Sequence, residues 1–104
     1  MGCGFLEPVY QEAFELELDQ RGIPHEREAK IPLQYKGRPL KCTYRPDFLC
    51  HGCIIVELKA LSAVGNVEMS QVLNYLKAGG FRIGLLINFG APSLQYRRYI
   101  NSQI

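Results

Sequence analysis

Tyr44-Arg45-Pro46-Asp47-Phe48-Leu49-Cys50-His51-Gly52-Cys53-Ile54-Ile55-Val56-Glu57-Leu58-Lys59 is the stretch whose reading decides the fold. An acidic residue sits in one apolar run. Ten residues later a β-type run carries a carboxylate and an ammonium. Side chains alternate between the faces of a strand, so Glu57 and Lys59 point the same way. Charges on a strand this apolar are costly to bury unless they are paired or bound to metal. A strict two-residue loop, His51-Gly52, would set Asp47 opposite Val56 and turn it away from Glu57. A three-residue loop, Cys50-His51-Gly52 with Gly52 left-handed, would set Asp47 opposite Ile55 and put Asp47, Glu57 and Lys59 on one face. An odd-length loop or a bulge is therefore required if the three groups are to meet.

Two carboxylates beside one lysine can hold a hard divalent cation, orient a water and stabilise charge on a phosphate. That chemistry is phosphodiester hydrolysis. Mg²⁺ typically takes one or two carboxylates together with waters and phosphate oxygens, which is what Asp47 and Glu57 offer. Lys59 beside them suits a charged clamp better than a neutral base.

Working outward, Phe5 to Arg21 reads as a helix, with Leu6, Val9, Tyr10, Ala13, Phe14 and Leu18 on one face. Pro8 fits only its first turn, so Glu7 lies at the helix start, and Gly22 and Pro24 stop it. Lys30 to Tyr35 reads as a strand, Lys36-Gly37-Arg38-Pro39 as a turn, and Leu40 to Leu49 as the next strand. In that strand Tyr44 and Phe48 would share one face, Arg45 and Asp47 the other. Pro46 places it near an edge or a bulge. Val67 to Ala78 reads as a second helix, capped by Asn66 and closed by Gly79-Gly80. Met69, Val72, Leu73 and Leu76 supply its buried side, while Gln71 and Tyr75, four apart, share another face. Phe81 to Asn88 reads as a central parallel strand buried on both faces. Gly90-Ala91-Pro92 breaks the chain, and Leu94 to Ile100 follows as an edge strand.

The 104 residues, 47% of them apolar, fit one globular domain, residues 1–104. No run of about 18 apolar residues occurs, so no membrane span is expected. The start has no basic segment of a secretory signal, which implies a cytoplasmic protein. Twelve Lys and Arg against ten Asp and Glu is nearly balanced, so any nucleic-acid surface must be local. The cysteines, Cys3, Cys42, Cys50 and Cys53, read as cytosolic thiols. Cys50-His51-Gly52-Cys53 has zinc-knuckle spacing but no second pair downstream, which favours small apolar strand residues around a turn. Arg97-Arg98 between Tyr96 and Tyr99 reads either as a DNA-contacting strip or as an edge protected against aggregation. The same exposed edge would allow a homodimer. His25 carries no site signal.

The order of elements, with Pro46-Asp47 and Glu57-Leu58-Lys59, resembles the PD-(D/E)XK nuclease superfamily. Gly4-Phe5-Leu6-Glu7-Pro8-Val9-Tyr10 resembles the signature of its small GxxExxY family, and Gln71 with Tyr75 the Q-x-x-x-Y motif of RecB-like and lambda-exonuclease-like members. The resemblance covers nearly the whole chain. It implies a restriction-endonuclease-like α/β core, ordered helix, three strands, helix, strand, with a mixed central sheet flanked by helices. It also implies an Mg²⁺-dependent (or Mn²⁺-dependent) nuclease acting on nucleic acid, DNA in the first instance. Asp47, Glu57 and the carbonyl of Leu58 would hold the metal, Lys59 would position the attacking water, and Glu7 would support the metal site. Gln71 and Tyr75 would contact the nucleic-acid backbone. Members of the small family carry a further N-terminal stretch before the motif at which this chain begins. A catalytically silent nucleic-acid-binding protein on the same fold is the alternative expectation, and a zinc-bound module built on the cysteines is a third.

Overall fold

The computed structural model describes residues 7–62, 64–90 and 94–102. Gly4, Phe5 and Leu6 of the N-terminal signature lie outside the described residues, as do Cys3 and Ala91-Pro92. The elements run α1 (Glu7–Gln20), β1 (His25–Arg27), β2 (Ile31–Tyr35), β3 (Arg38–Tyr44), β4 (Phe48–Cys50), β5 (Ile54–Lys59), α2 (Asn66–Gly79), β6 (Ile83–Asn88) and β7 (Gln95–Ile100). Five strands form one sheet in the order β1-β4-β5-β6-β7, and β2-β3 form a separate two-stranded sheet. Within the five, β5 and β6 are parallel and their neighbours antiparallel, so the central sheet is mixed as expected.

Alternation along β5 sorts the core into two layers. Ile55 packs with Val72 and Leu76 of α2, with Leu86, and with Ile31, Leu33 and Tyr44 from the β2-β3 sheet. Val56 and Leu58 pack on the other face with Phe48, Cys50 and Leu18, joined by Phe14 of α1. Each helix therefore covers one face of the sheet. Cys50 belongs to this core, whereas Cys42 on β3 and Cys53 in the turn before β5 are exposed thiols. Among the described residues no helix is long and apolar enough to cross a membrane.

Several elements differ from the sequence-based expectation. The long strand from Leu40 to Leu49 is two strands, because Arg45-Pro46-Asp47 leaves the ladder. Proline offers no N–H to a partner, and here the break moves the chain from one sheet to the other. Tyr44 and Phe48 consequently lie in opposite core layers rather than on one face. The turn before β3 has two residues, with Tyr35 opposite Arg38 and both Lys36 and Gly37 at positive φ. Residues His25–Arg27, assigned to no element from sequence, pair with β4. On α1, Val9 and Ala13 face outward, and the inward stripe is the half-buried Tyr10 and Phe14 and the buried Leu18, with Gln11 beside it. The N-cap of α2 is Gly65 rather than Asn66, with the Glu68 carboxylate accepting its N–H at 2.6 Å. Met69 is exposed at the start of that helix.

One buried polar residue ties the end of the sheet together. Asn88 is fully buried at the end of β6. Its Oδ1 accepts the N–H groups of Leu61 and Gly90 at 2.8 and 3.0 Å, and its Nδ2 donates to Leu61 O at 2.9 Å and to Gln95 at 3.2 Å. This knot holds the segment leaving β5 just beyond Lys59. Gly90 completes it, because a Cβ there would stand 2.4 Å from the Leu61 nitrogen. Replacing Asn88 with Ala strands several buried backbone groups, each costing about 1–3 kcal/mol. We expect Asn88→Ala to lower the unfolding free energy by about 3 kcal/mol, read as a reduced urea midpoint with unchanged slope.

Candidate active site

The β4-β5 register decides which side chains meet. Phe48 pairs with Val56, Leu49 with Ile55 and Cys50 with Ile54. The loop is therefore the three residues His51-Gly52-Cys53, odd in length as required but displaced by one residue from Cys50-His51-Gly52. His51 and Gly52 both take positive φ, at 54° and 69°. One further step along the register sets Asp47 opposite Glu57, not Ile55.

The break at Pro46 then shapes the chemistry. Since β4 pairs no further than Phe48, the N–H of Leu58 points at a vacated ladder position. The Asp47 carboxylate fills it, accepting that N–H through Oδ2 at 2.7 Å. The N–H and C=O of one strand residue leave toward the same neighbour, so the Leu58 carbonyl also projects to the Asp47 side. Asp47 Oδ1 accepts from Gln11 Nε2 at 3.0 Å. Gln11 in turn accepts from Arg27 at 2.8 Å, Arg27 donates to Glu15 at 3.1 Å, and Glu15 meets His25 at 3.1 Å. A continuous chain of polar contacts thus runs from Asp47 across α1 to β1. His25, set aside from sequence, is its far end; its Nδ1 bonds Ile23 O and its ring packs edge-on against Phe48.

Glu57 lies on the α2-covered face of β5, the face of Ile55 and Lys59. It accepts a hydrogen bond from the Tyr44 hydroxyl and another from the backbone of Asp47. Burial pushes its carboxyl up to about 7, and the Asp47 charge pushes the same way. The Tyr44 hydrogen bond and the Lys59 charge oppose the rise without cancelling it, so desolvation dominates. Burial, with the charge of Glu57, raises the Tyr44 phenol, which keeps it a donor. Tyr44 stacks flat on Tyr75, ring centroids 3.8 Å apart at 2°. Glu57 and Lys59 line an open cleft of about 330 Å³ with Tyr44, Arg45, Gln71 and Tyr75. Asp47 is not among its walls; it closes the site from the strand edge behind Glu57.

The structure thus groups Glu57, Lys59, Gln71 and Tyr75 at one cleft and sets Asp47 and Leu58 at its rear. Glu7 is the first residue of α1, one turn before Gln11, and its side chain lies outside the described residues. Tyr44 and Gln11 were missed from sequence. Tyr44 was placed only on the strand face of Phe48, away from Asp47, and nothing local marks Gln11, which meets Asp47 across 36 positions. The Tyr10 of the N-terminal signature packs by stacking on Phe89 at 4.6 Å. Among the described residues no three His, Cys, Asp or Glu side chains converge as a ligand group. The donor set that does exist is two adjacent carboxylates, one of them held partly protonated by burial. That is a site short of positive charge, and it fits a hard cation that needs one or two carboxylates.

A model of the PD-(D/E)XK nuclease superfamily matches residues 1–99. The chain belongs to that superfamily. Two solved structures share its fold. The crystal structure of SSO0001 superposes with a TM-score of 0.69 at 18% identity, over 91% of this chain and 50% of the other. The alkaline exonuclease LHK-Exo from Laribacter hongkongensis gives 0.55 at 14% identity, over 94% of this chain and 56% of the other. The chain spans about half the length of each. No curated protein sequence matches. The superfamily's restriction-endonuclease-like core is the architecture described above.

The raised Glu57 pKa has a stability consequence. Between an unfolded value near 4.5 and a folded value of about 7, the native state keeps a proton that the unfolded chain has lost. Wild-type stability therefore falls as pH rises through this window, by on the order of 3 kcal/mol from this group. Glu57→Gln removes that cost. Metal-free urea titrations at pH 5 and pH 8 should show the variant gaining on wild type at pH 8; an equal difference at both pH values would contradict the assignment.

Proposed function

We propose that this domain is a divalent-metal-dependent nuclease that hydrolyses phosphodiester bonds in DNA. The observation that carries the proposal is the meeting of Asp47 and Glu57 at the end of β5, with Lys59 on the same cleft wall as Glu57. Membership of the nuclease superfamily supports it. Asp47, Glu57 and the Leu58 carbonyl would hold Mg²⁺ or Mn²⁺, which when bound polarises a phosphate and acidifies a water.

The chain's own residues do the remaining work. Lys59 reaches the cleft as a cation and binds a non-bridging phosphate oxygen, where negative charge grows during attack. Tyr44 holds Glu57 in place by its hydrogen bond, and Tyr75 holds Tyr44 by stacking. Gln71 and the exposed edge of Tyr75 face the cleft from α2 and would meet the nucleic-acid backbone. Gln11 fixes the Asp47 carboxylate from behind, as an outer-shell partner fixes a ligand. Glu7, at the start of the same helix, is assigned a supporting role on the strength of the resemblance alone.

The test is cleavage of labelled single- and double-stranded DNA and RNA under Mg²⁺ or Mn²⁺. Wild type should cleave DNA only with metal present. Asp47→Ala and Lys59→Ala should each lose about 10²–10³ in rate while keeping the wild-type circular dichroism. Nucleic-acid binding by folded protein without cleavage under either metal would instead make this a silent binding domain.

A further inference from the structure

From Ala29 to Pro46 the chain carries Lys30, Lys36, Arg38, Lys41 and Arg45 and no Asp or Glu. Elsewhere seven Lys and Arg face all ten Asp and Glu, so the near-neutral total hides a strongly basic segment on an acidic body. This segment is the β2-β3 sheet. Its base is anchored, with Ile31, Leu33 and Tyr44 buried against α2. Every residue from Gln34 to Thr43 is exposed, so β3 carries its cations on a ribbon that contributes little to the core. Among the described residues none of the five cations forms an ion pair. Lys36 and Gly37, both left-handed, close the tip as a tight two-residue turn whose twist matches that of the flanking strands. Tyr35, 62% exposed, lies beneath the Lys36 ammonium at 5.4 Å.

The ribbon also adjoins the candidate active site. Thr43, Tyr44 and Arg45 at its base line the cleft that holds Glu57 and Lys59. Gln34, Tyr35 and Lys36 near its tip line a second groove of about 420 Å³ against Asn74 and Lys77 of α2. Both grooves share α2 as a wall, with Arg45 and Lys59 in the cleft and Lys36 and Lys77 in the groove at the hairpin tip.

We infer that the β2-β3 hairpin is a clamp for duplex DNA, gripping the phosphates that flank the strand in the cleft. Charge complementarity selects a polyanion. A two-stranded ribbon fits the wide major groove of B-form DNA but not the deep, narrow one of A-form RNA. The inference rests on the cleft taking a nucleic-acid strand, and it names that strand's flank as double helix.

The test is binding of a short labelled DNA duplex in EDTA, where cleavage is absent, over a series of salt concentrations. Lys36→Glu/Arg38→Glu/Lys41→Glu should weaken binding at least tenfold. The neutral variant Lys36→Gln/Arg38→Gln/Lys41→Gln should reduce the slope of log affinity against log salt by about 3, one for each phosphate contact removed. Both variants alter exposed side chains only, so unchanged melting temperatures are expected. Wild-type affinity and slope in both variants would overturn the clamp, as would an RNA duplex bound equally well and weakened equally by the substitutions. Wild type that binds the duplex through these residues but cleaves nothing with metal would remove the nuclease and leave the clamp. Cleavage by a protein whose hairpin variants bind as wild type would do the reverse.

Discussion

The hydrogen bond from the Leu58 N–H to the Asp47 carboxylate is the constraint on which the site depends. It exists because Pro46 takes the chain out of the ladder two residues before β4 begins, while β5 runs on. An edge amide left unpaired in a half-buried strand would cost about 1–3 kcal/mol. The nearest acceptor is a carboxylate, and binding it there fixes Asp47 against β5. Asp47 then lies opposite Glu57, and the Leu58 carbonyl is exposed to the same side. A strand continuous from Leu40 to Leu49 would have satisfied the amide with backbone and left Asp47 free to turn outward.

Burying Glu57 beside a second carboxylate has an electrostatic cost: desolvation first, and the Asp47 charge after it, hold its carboxyl at about 7. The protein offsets part of it with neutral donors. Tyr44 and the Asp47 backbone bond Glu57, and Gln11 bonds Asp47. Neutral donors fix geometry without discharging the site, and Lys59, which shares the cleft wall with Arg45, does not bring Glu57 down to an ordinary carboxyl. Lys36, Arg38 and Lys41 lie instead toward the tip of the β2-β3 hairpin, away from the carboxylates. The separation suits a substrate that brings negative charge to the hairpin and a metal that brings positive charge to the carboxylates.

The local features of the fold were legible where period and breakers agreed. The two helices and the β6 strand follow from period and breakers, and spacing puts Glu57 and Lys59 on one face, whereas Asp47 joins them only through the loop before β5. Side-chain alternation reduced the β4-β5 loop to two parities without choosing between them, and left its placement open as well, since two odd registers satisfy the same alternation. Pro46 was read as a bulge or an edge feature, but sequence gave no sign that it moves the chain between sheets. That switch hid Tyr44, whose hydroxyl reaches Glu57 only because β3 belongs to the second sheet. Gln11 and His25 were hidden for another reason. Their contacts join helix α1 to distant strands, and a polar residue on a helix face carries no local mark of its partner. The hairpin's charge was in the sequence throughout, masked by a balanced total.

The central claim is that Asp47 and Glu57 form a cation site held short of positive charge. Calorimetric titration with Mg²⁺ near pH 6, in buffers of different ionisation enthalpy, tests it most directly. If the claim holds, binding expels close to one proton from wild type, because the metal displaces the proton retained by Glu57. The release should vanish in Glu57→Gln, and binding itself should be lost in Asp47→Ala. Absence of Mg²⁺ binding by folded wild type, or binding with the same proton release in Glu57→Gln, would contradict it.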